Sequence, residues 1–241
     1  MDFRNSGGKS HYNAAQFLLQ KRTSKGLTFT AAYTWSKMMD NINNPITSYA
    51  TREELDTASW QRNNYPQVVT LTYIYELPFG RNKPWLNSGS WAENALVGGW
   101  SISGITNFRS GPPLLVTASS GGLLPQNSGQ RANYVCTGQN NPRTISQWFD
   151  TSCFAQPQGF VLGNSGVGDV YGPRYQDWDI TASKGIFFGE SKQLRFQASF
   201  FNAFNHVNLG QPDTGVNDST FGVISSDFQP RYGQLGMTFT F

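Results

Sequence analysis

The sequence predicts an all-β fold, an antiparallel meander of about seven strands with the dimensions of a transmembrane β-barrel segment. Three observations carry that expectation. Apolar and polar residues alternate with period two in seven separate stretches, the stretches run about nine to eleven residues, and the connections alternate between tight turns and long loops. The composition agrees, since 38% hydrophobic, 15% aromatic and 14% charged residues is too aromatic and too sparsely charged for disorder. The net charge of +3 is small and no Lys/Arg run reads as a nucleic-acid surface. No run of about 18 apolar residues exists, which excludes a transmembrane helix but not strands that span.

Each strand follows from its own alternation. "YNAAQFLLQKR" (12–22) sets Ala15, Phe17 and Leu19 together, and "LTFTAAYTWS" sets Leu27, Phe29, Ala31, Tyr33 and Trp35 against four hydroxyl residues and Ala32. "QVVTLTYIYEL" gives Val69, Leu71, Tyr73, Tyr75 and Leu77 against Thr70, Thr72 and Glu76. "GWSISGITNFR" gives Trp100, Ile102 and Phe108 against Ser101, Ser103, Asn107 and Arg109. "DWDITAS" (177–183) gives Trp178, Ile180 and Ala182 against Asp177, Asp179, Thr181 and Ser183. "QLRFQASFFN" gives Leu194, Phe196, Ala198 and Phe200 against Arg195, Gln197 and Ser199. The last stretch gives Leu235, Met237, Phe239 and Phe241 against Gln234, Gly236, Thr238 and Thr240.

"TSKG" (23–26) and "FGESK" (188–192) are tight turns, whereas 37–66, about 111–176 and 206–230 are long and rich in Gly, Pro, Asn and Ser. Short turns on one side and long loops on the other are the outer-membrane pattern. The connection 78–98 breaks it, with a short helix expected from the capping-box pair Ser90 and Glu93 and a stop at Gly98. A second short helix is expected at 145–149, where Thr144 and Gln147 repeat the spacing. Trp35 and Trp178 fall at strand ends beside long loops, and Tyr75, Phe79, Trp100 and Phe187 at the opposite ends, as two interfacial girdles require. Cys136 and Cys153, 17 positions apart in a loop, are a candidate disulfide worth roughly 3 kcal/mol on the chain-entropy model, with two unpaired thiols as the alternative.

The chain ends on "QLGMTFTF". Gln234, Gly236, Phe239 and Phe241 form the pattern of a barrel-assembly signal, read by assembly machinery through strand pairing. An ordinary edge strand is the alternative. "GGKS" (7–10) lacks the upstream glycine of a phosphate loop, and "GVGDVYG" (166–172) has the wrong glycine spacing for a dinucleotide site. His11 and His206 have no acidic or Cys neighbours at ligand spacing, and Glu53 and Glu54 read as solvated loop residues. Asp177 and Asp179 read as lumen-facing charge, with a Ca²⁺ pair as the alternative. The Asn217–Ser219 sequon reads as chance. No Ser/His/Asp or Cys/His set stands out, so no enzymatic activity, metal or cofactor is expected.

"YNAAQFLLQKRTSKGLTFTAAYTWSK", "VVTLTYIYELPFGRNK", "GGWSISGITNFRSGPPL", "TISQWFDTSCF", "RYQDWDITASKGIFF" and "RFQASFFNAFNHVNLGQP" resemble, in order, the C-terminal part of the barrel of TonB-dependent outer-membrane receptors. The narrower resemblance is to the Oar-like group, whose members carry a carboxypeptidase-regulatory-like domain ahead of the plug. The resemblance implies that residues 1–241 form a C-terminal barrel segment of a closed barrel of about 22 strands. It also implies a plug, import energised through TonB, and placement in the outer membrane of a Gram-negative type bacterium. The implied partners are outer-membrane lipid, the assembly machinery through the last strand, and TonB only through the N-terminal part, which this sequence lacks along with a signal peptide. The chain is therefore expected to be a fragment, an open curved sheet by itself and inactive alone, and no ligand-binding residue can be assigned. A secreted soluble β-sandwich binding sugar or peptide, and a small pore made of several chains, are the competing readings.

Overall fold

The computed structural model describes residues 9–40, 56–57, 64–87, 90–120, 129–159, 161–188 and 192–241. Seven long strands form one antiparallel sheet: β1 (Ser10–Ser24), β2 (Leu27–Asp40), β3 (Gln67–Glu76), β4 (Trp100–Arg109), β5 (Tyr175–Phe188), β6 (Lys192–Phe201) and β7 (Tyr232–Thr240). Neighbours in sequence are neighbours in the sheet, the meander that the alternating connections require. The sheet does not close, and β1 and β7 are its edges. A two-residue strand, Asp56–Thr57, adds to the far end of β2.

β1, β2 and β5 run 15, 14 and 14 residues, longer than their alternating cores. Pairing continues past the apolar alternation on the long-loop side, where Ser10 opposes Asp40. The β1–β2 turn is tight because Lys25 (φ 53) and Gly26 (φ 80) both take left-handed backbone, the requirement of a two-residue hairpin whose twist matches its strands. Gly26 is also packed against β3, since a Cβ there would sit 2.6 Å from the Glu76 carbonyl oxygen.

The buried hydrophobic core is not in this sheet. Leu114, Val116, Ala118, Ala132, Phe149, Cys153, Phe154 and Val170 form one cluster, with Trp148, Val216 and Phe221 packed on it. All of these come from the β4–β5 and β6–β7 connections, which fold together as a cap at the long-loop end of the strands. Small antiparallel pairs hold it, Val170–Tyr171 on Pro113–Leu114, Thr117–Ser119 on Gly129–Arg131, and Phe154–Ala155 on Asn133–Tyr134. Cross-loop backbone bonds join the two connections, from Thr117 N to Thr214 O, Val216 N to Thr117 O, and Trp148 N to Gly222 O. Three edge-to-face contacts among Phe149, Phe154 and Phe221, with centroids 5.3 to 6.5 Å apart, fill the centre. Cys136 and Cys153 are disulfide-bonded at its margin.

One local expectation needs correction. Residues 145–149 are not helical. The Thr144 hydroxyl accepts from Gln147 N at 3.1 Å, but Ile145 O and Trp148 N bond to Ile224 N and Gly222 O, so the backbone is committed across the cap instead of along a helix. The only helical turn near it, Thr151–Cys153, is capped by Asp150. The helix α1 (Trp91–Val97) forms as expected, with both capping-box bonds, and stops at Gly98, whose N–H donates to Asn94 O. Gly98 is extended at φ −83, and the left-handed residue is Gly99 at φ 71.

Replacing Cys136 and Cys153 together by serine should loosen the cap by roughly 3 kcal/mol, and proteolysis within 130–165 of the intact protein should accelerate accordingly. Unchanged cleavage would show that the cap does not depend on the bridge. The Ser152 hydroxyl, 2.6 Å from Asp150 Oδ1, is the main reason that the Asp150 carboxyl is held below its ordinary value of 3.8. A lowered carboxyl stabilises the folded cap above 3.8, and that contribution is lost as pH falls through the lower folded value. Protease resistance should therefore be flat above that range and fall below it, with Asp150→Ala flattening part of the acid limb.

Candidate functional site

The register places every apolar set on one face. From strand to strand, Leu27 opposes Tyr75, Tyr75 opposes Ile102, Ile102 opposes Ala182, Ala182 opposes Ala198 and Ala198 opposes Leu235. One residue of slip in any pair would reverse that strand's faces. The glycines of this face are covered by aromatics. Tyr73 lies over Gly104, where a Cβ would be 2.7 Å from the ring, and Phe200 lies over Gly233, 3.2 Å by the same measure. Among the described residues no second sheet covers this face, as a β-sandwich would require.

Its height suits a bilayer. Trp178 and Phe188 bracket the apolar side of β5 and are ten residues apart, about 33 Å along a strand and about 25 Å after a tilt near 40°. At the long-loop end Phe108, Trp178 and Phe204 pack edge-on at 5.4 to 5.5 Å. Tyr75, Trp100 and Phe188 mark the opposite end. Phe187 does not belong to that girdle. β5 keeps its period to Phe188, so Phe187 shares the other face with Asp177 and Asp179, and Phe188 takes the apolar side.

A family model described as an outer membrane beta barrel domain matches residues 1–234. The chain belongs to that family. No curated protein and no solved structure matches it. As an outer-membrane β-barrel protein it resides in the outer membrane, with its apolar face toward lipid and the opposite face toward the lumen. The long-loop side, with the disulfide-bonded cap, is then extracellular, and the turns and C-terminus are periplasmic.

The lumen face of the outer-membrane barrel segment is mostly polar and partly cross-linked by side chains. Thr70 Oγ1 donates to Asn107 Oδ1 at 3.1 Å, and the Thr181 and Ser199 hydroxyls bond at 2.8 Å. The Arg109 guanidinium lies between the Tyr65 and Tyr175 rings, at 4.9 and 4.2 Å, on the wall of a cleft of about 570 Å³ that His206 also lines. Asp177 and Asp179 line a smaller cleft of about 240 Å³ with Phe201 and Tyr232, whose rings stack at 4.6 Å. Asp179 Oδ1 accepts from Asn202 N at 3.1 Å, a structural use. No group of three or more His, Cys, Asp or Glu is placed to hold a metal among the described residues.

The remaining sequence-derived residues are widely spread. Gln234 and Gly236 face the lumen side of β7, Phe239 the lipid side, and Phe241 follows the strand with its ring stacked on Phe239 at 6.2 Å. His11 sits near the long-loop end of β1, remote in the sheet from the His206 cleft. "GVGDVYG" is a turn of the cap, with Gly168 at φ 95 and Gly166 N donating to the Asp169 carboxylate. Asn217 accepts from Ser119 N at 2.9 Å, another cap contact. Gly7, Gly8, Glu53 and Glu54 lie outside the described residues.

Sequence reasoning missed Lys184. It faces lipid between Trp100 and Phe196, is only 8% exposed, and donates to the Gly98 carbonyl while its Nζ lies 5.5 Å from the Trp100 ring centroid. The signal was present as a cation at a lipid-facing step of "ITASKGIF". Such a charge persists in a bilayer only with a partner.

Replacing lipid-facing Ala182, midway between Trp178 and Phe188, by arginine should destabilise the embedded barrel by roughly 2–4 kcal/mol, while Ser183→Arg, facing the lumen, should cost far less. Denaturant titration of both variants in vesicles checks this, and equal costs would overturn the facing.

Proposed function

We propose that this chain is the C-terminal barrel portion of a plugged, TonB-dependent importer of the Oar-like group, acting in binding and passage and not in catalysis. The observation that carries this reading is on the lumen face. Leu18, Ile74 and Ile105 face the lumen among threonines and serines, and each is about half or more exposed. Ile74 and Ile105 are diagonal neighbours on adjacent strands. A water-filled channel favours polar walls, whereas apolar wall residues suit packing against a folded plug. The open edges at β1 and β7 support a larger barrel, since unpaired backbone groups have no partner inside a bilayer. In this reading β7 serves the assembly machinery through Gln234, Gly236, Phe239 and Phe241, and the cap meets substrate outside. TonB acts on a segment outside this chain.

The test is uptake of isotope-labelled nutrient mixtures by cells with and without the gene. Import that needs this gene, functional TonB and an intact proton gradient is expected. Gene-dependent entry that survives a protonophore would make the protein a passive pore and overturn the proposal.

A further inference from the structure

We propose that the periplasmic β3–β4 connection is a membrane foot, a segment that lies in the phospholipid interface of the inner leaflet beside the barrel wall. The inference rests on the outer-membrane placement and not on the transport reading.

The connection is long where the barrel pattern calls for a short turn, and it does not extend into the periplasm as a free loop. It is folded back against the lipid-facing side of β5. Lys184 donates to the Gly98 carbonyl just beyond α1, and the fold of the connection over it explains its low exposure. The Trp91 ring packs on Phe188, with centroids 6.0 Å apart, and Phe188 is on the lipid face. Trp100 Nε1 donates to Leu96 O at 3.0 Å, which ties the end of α1 to the start of β4.

The largest exposed side chains of this segment are apolar. Trp85, Leu86, Trp91 and Leu96 are 59%, 62%, 63% and 75% exposed. Several polar groups of the segment are paired with one another. Asn94 Oδ1 accepts from Arg81 N at 2.6 Å, Glu93 Oε2 from Ser90 N at 2.7 Å, and Glu76 pairs with Lys83 at 2.7 Å. Local pairing of polar groups beside large exposed apolar side chains suits a segment at the lipid interface. The surface is continuous with the lipid-facing belt through Trp91, Phe188 and Trp100. Arg81 and Lys25, exposed at the same end, supply the cations that favour phospholipid headgroups. Tryptophans and aliphatic side chains beside basic residues are the composition of an interfacial segment.

The experiment places a single cysteine at Leu96 in the full outer-membrane protein and labels it with an environment-sensitive fluorophore. Both native cysteines are bridged and leave the label one target. The control is Gly138→Cys in the cap, where a side chain meets open space. The proposal expects blue-shifted emission at position 96, quenching by lipids brominated near the headgroup, and little quenching by aqueous iodide, with the reverse at position 138. Emission and iodide quenching at 96 equal to those at 138 would overturn it. If Leu96→Cys impairs assembly, the same labelling at Leu86→Cys decides by the same outcomes.

Discussion

Backbone hydrogen bonding in a solvent that offers none is the constraint on which the rest of this structure depends. A strand that crosses lipid must pair on both sides, and each of the five interior strands is bonded to two neighbours. Pairing fixes register, and register fixes which side chains share a face. The shared register of β2 through β6 gathers Leu27, Tyr75, Ile102, Ala182 and Ala198 into one row on the lipid side. Hydroxyl and amide side chains are left on the other side by the same arithmetic. At the two edges, β1 and β7, where every residue of β7 is exposed, that demand is not met within this sheet.

The apolar effect is divided between two places. In the sheet it works against lipid, so large side chains such as Leu235 and Met237 stand exposed without penalty. In the cap it works against water in the ordinary way, with Leu114, Val116 and Phe149 almost wholly buried. The cap needs that core, and the disulfide beside it, because its strands are only two or three residues long and cannot stand alone.

The sheet was legible in the sequence because its signal is local. Period two can be read inside "LTFTAAYTWS" without knowing what it pairs with, and the turn at Lys25–Gly26 announces itself by residue type. The cap was not legible, because its core joins Leu114 to Val170 and Thr117 to Thr214, contacts far apart in the chain between segments rich in turn residues. Thr144 and Gln147 show the same limit, with their local bond present but the backbone around them committed elsewhere. Phe187 was misplaced by a single step, because the alternation was read to Ser183 while β5 continues to Phe188. Lys184 escaped notice because a lone cation in an apolar run is explained only by Gly98, a residue 86 positions away.

The central claim is that one face of this sheet meets lipid and the other an aqueous or protein-filled lumen. The most direct test is a single-cysteine scan of β5 from 176 to 187 in native outer membranes, read with a water-soluble, membrane-impermeant thiol reagent. The bridged pair Cys136–Cys153 stays silent. Reactivity should alternate with period two, protected at 178, 180, 182 and 186 and higher at 177, 179, 181 and 183. Uniform reactivity, or an alternation of the opposite phase, would contradict the facing and the membrane placement built on it.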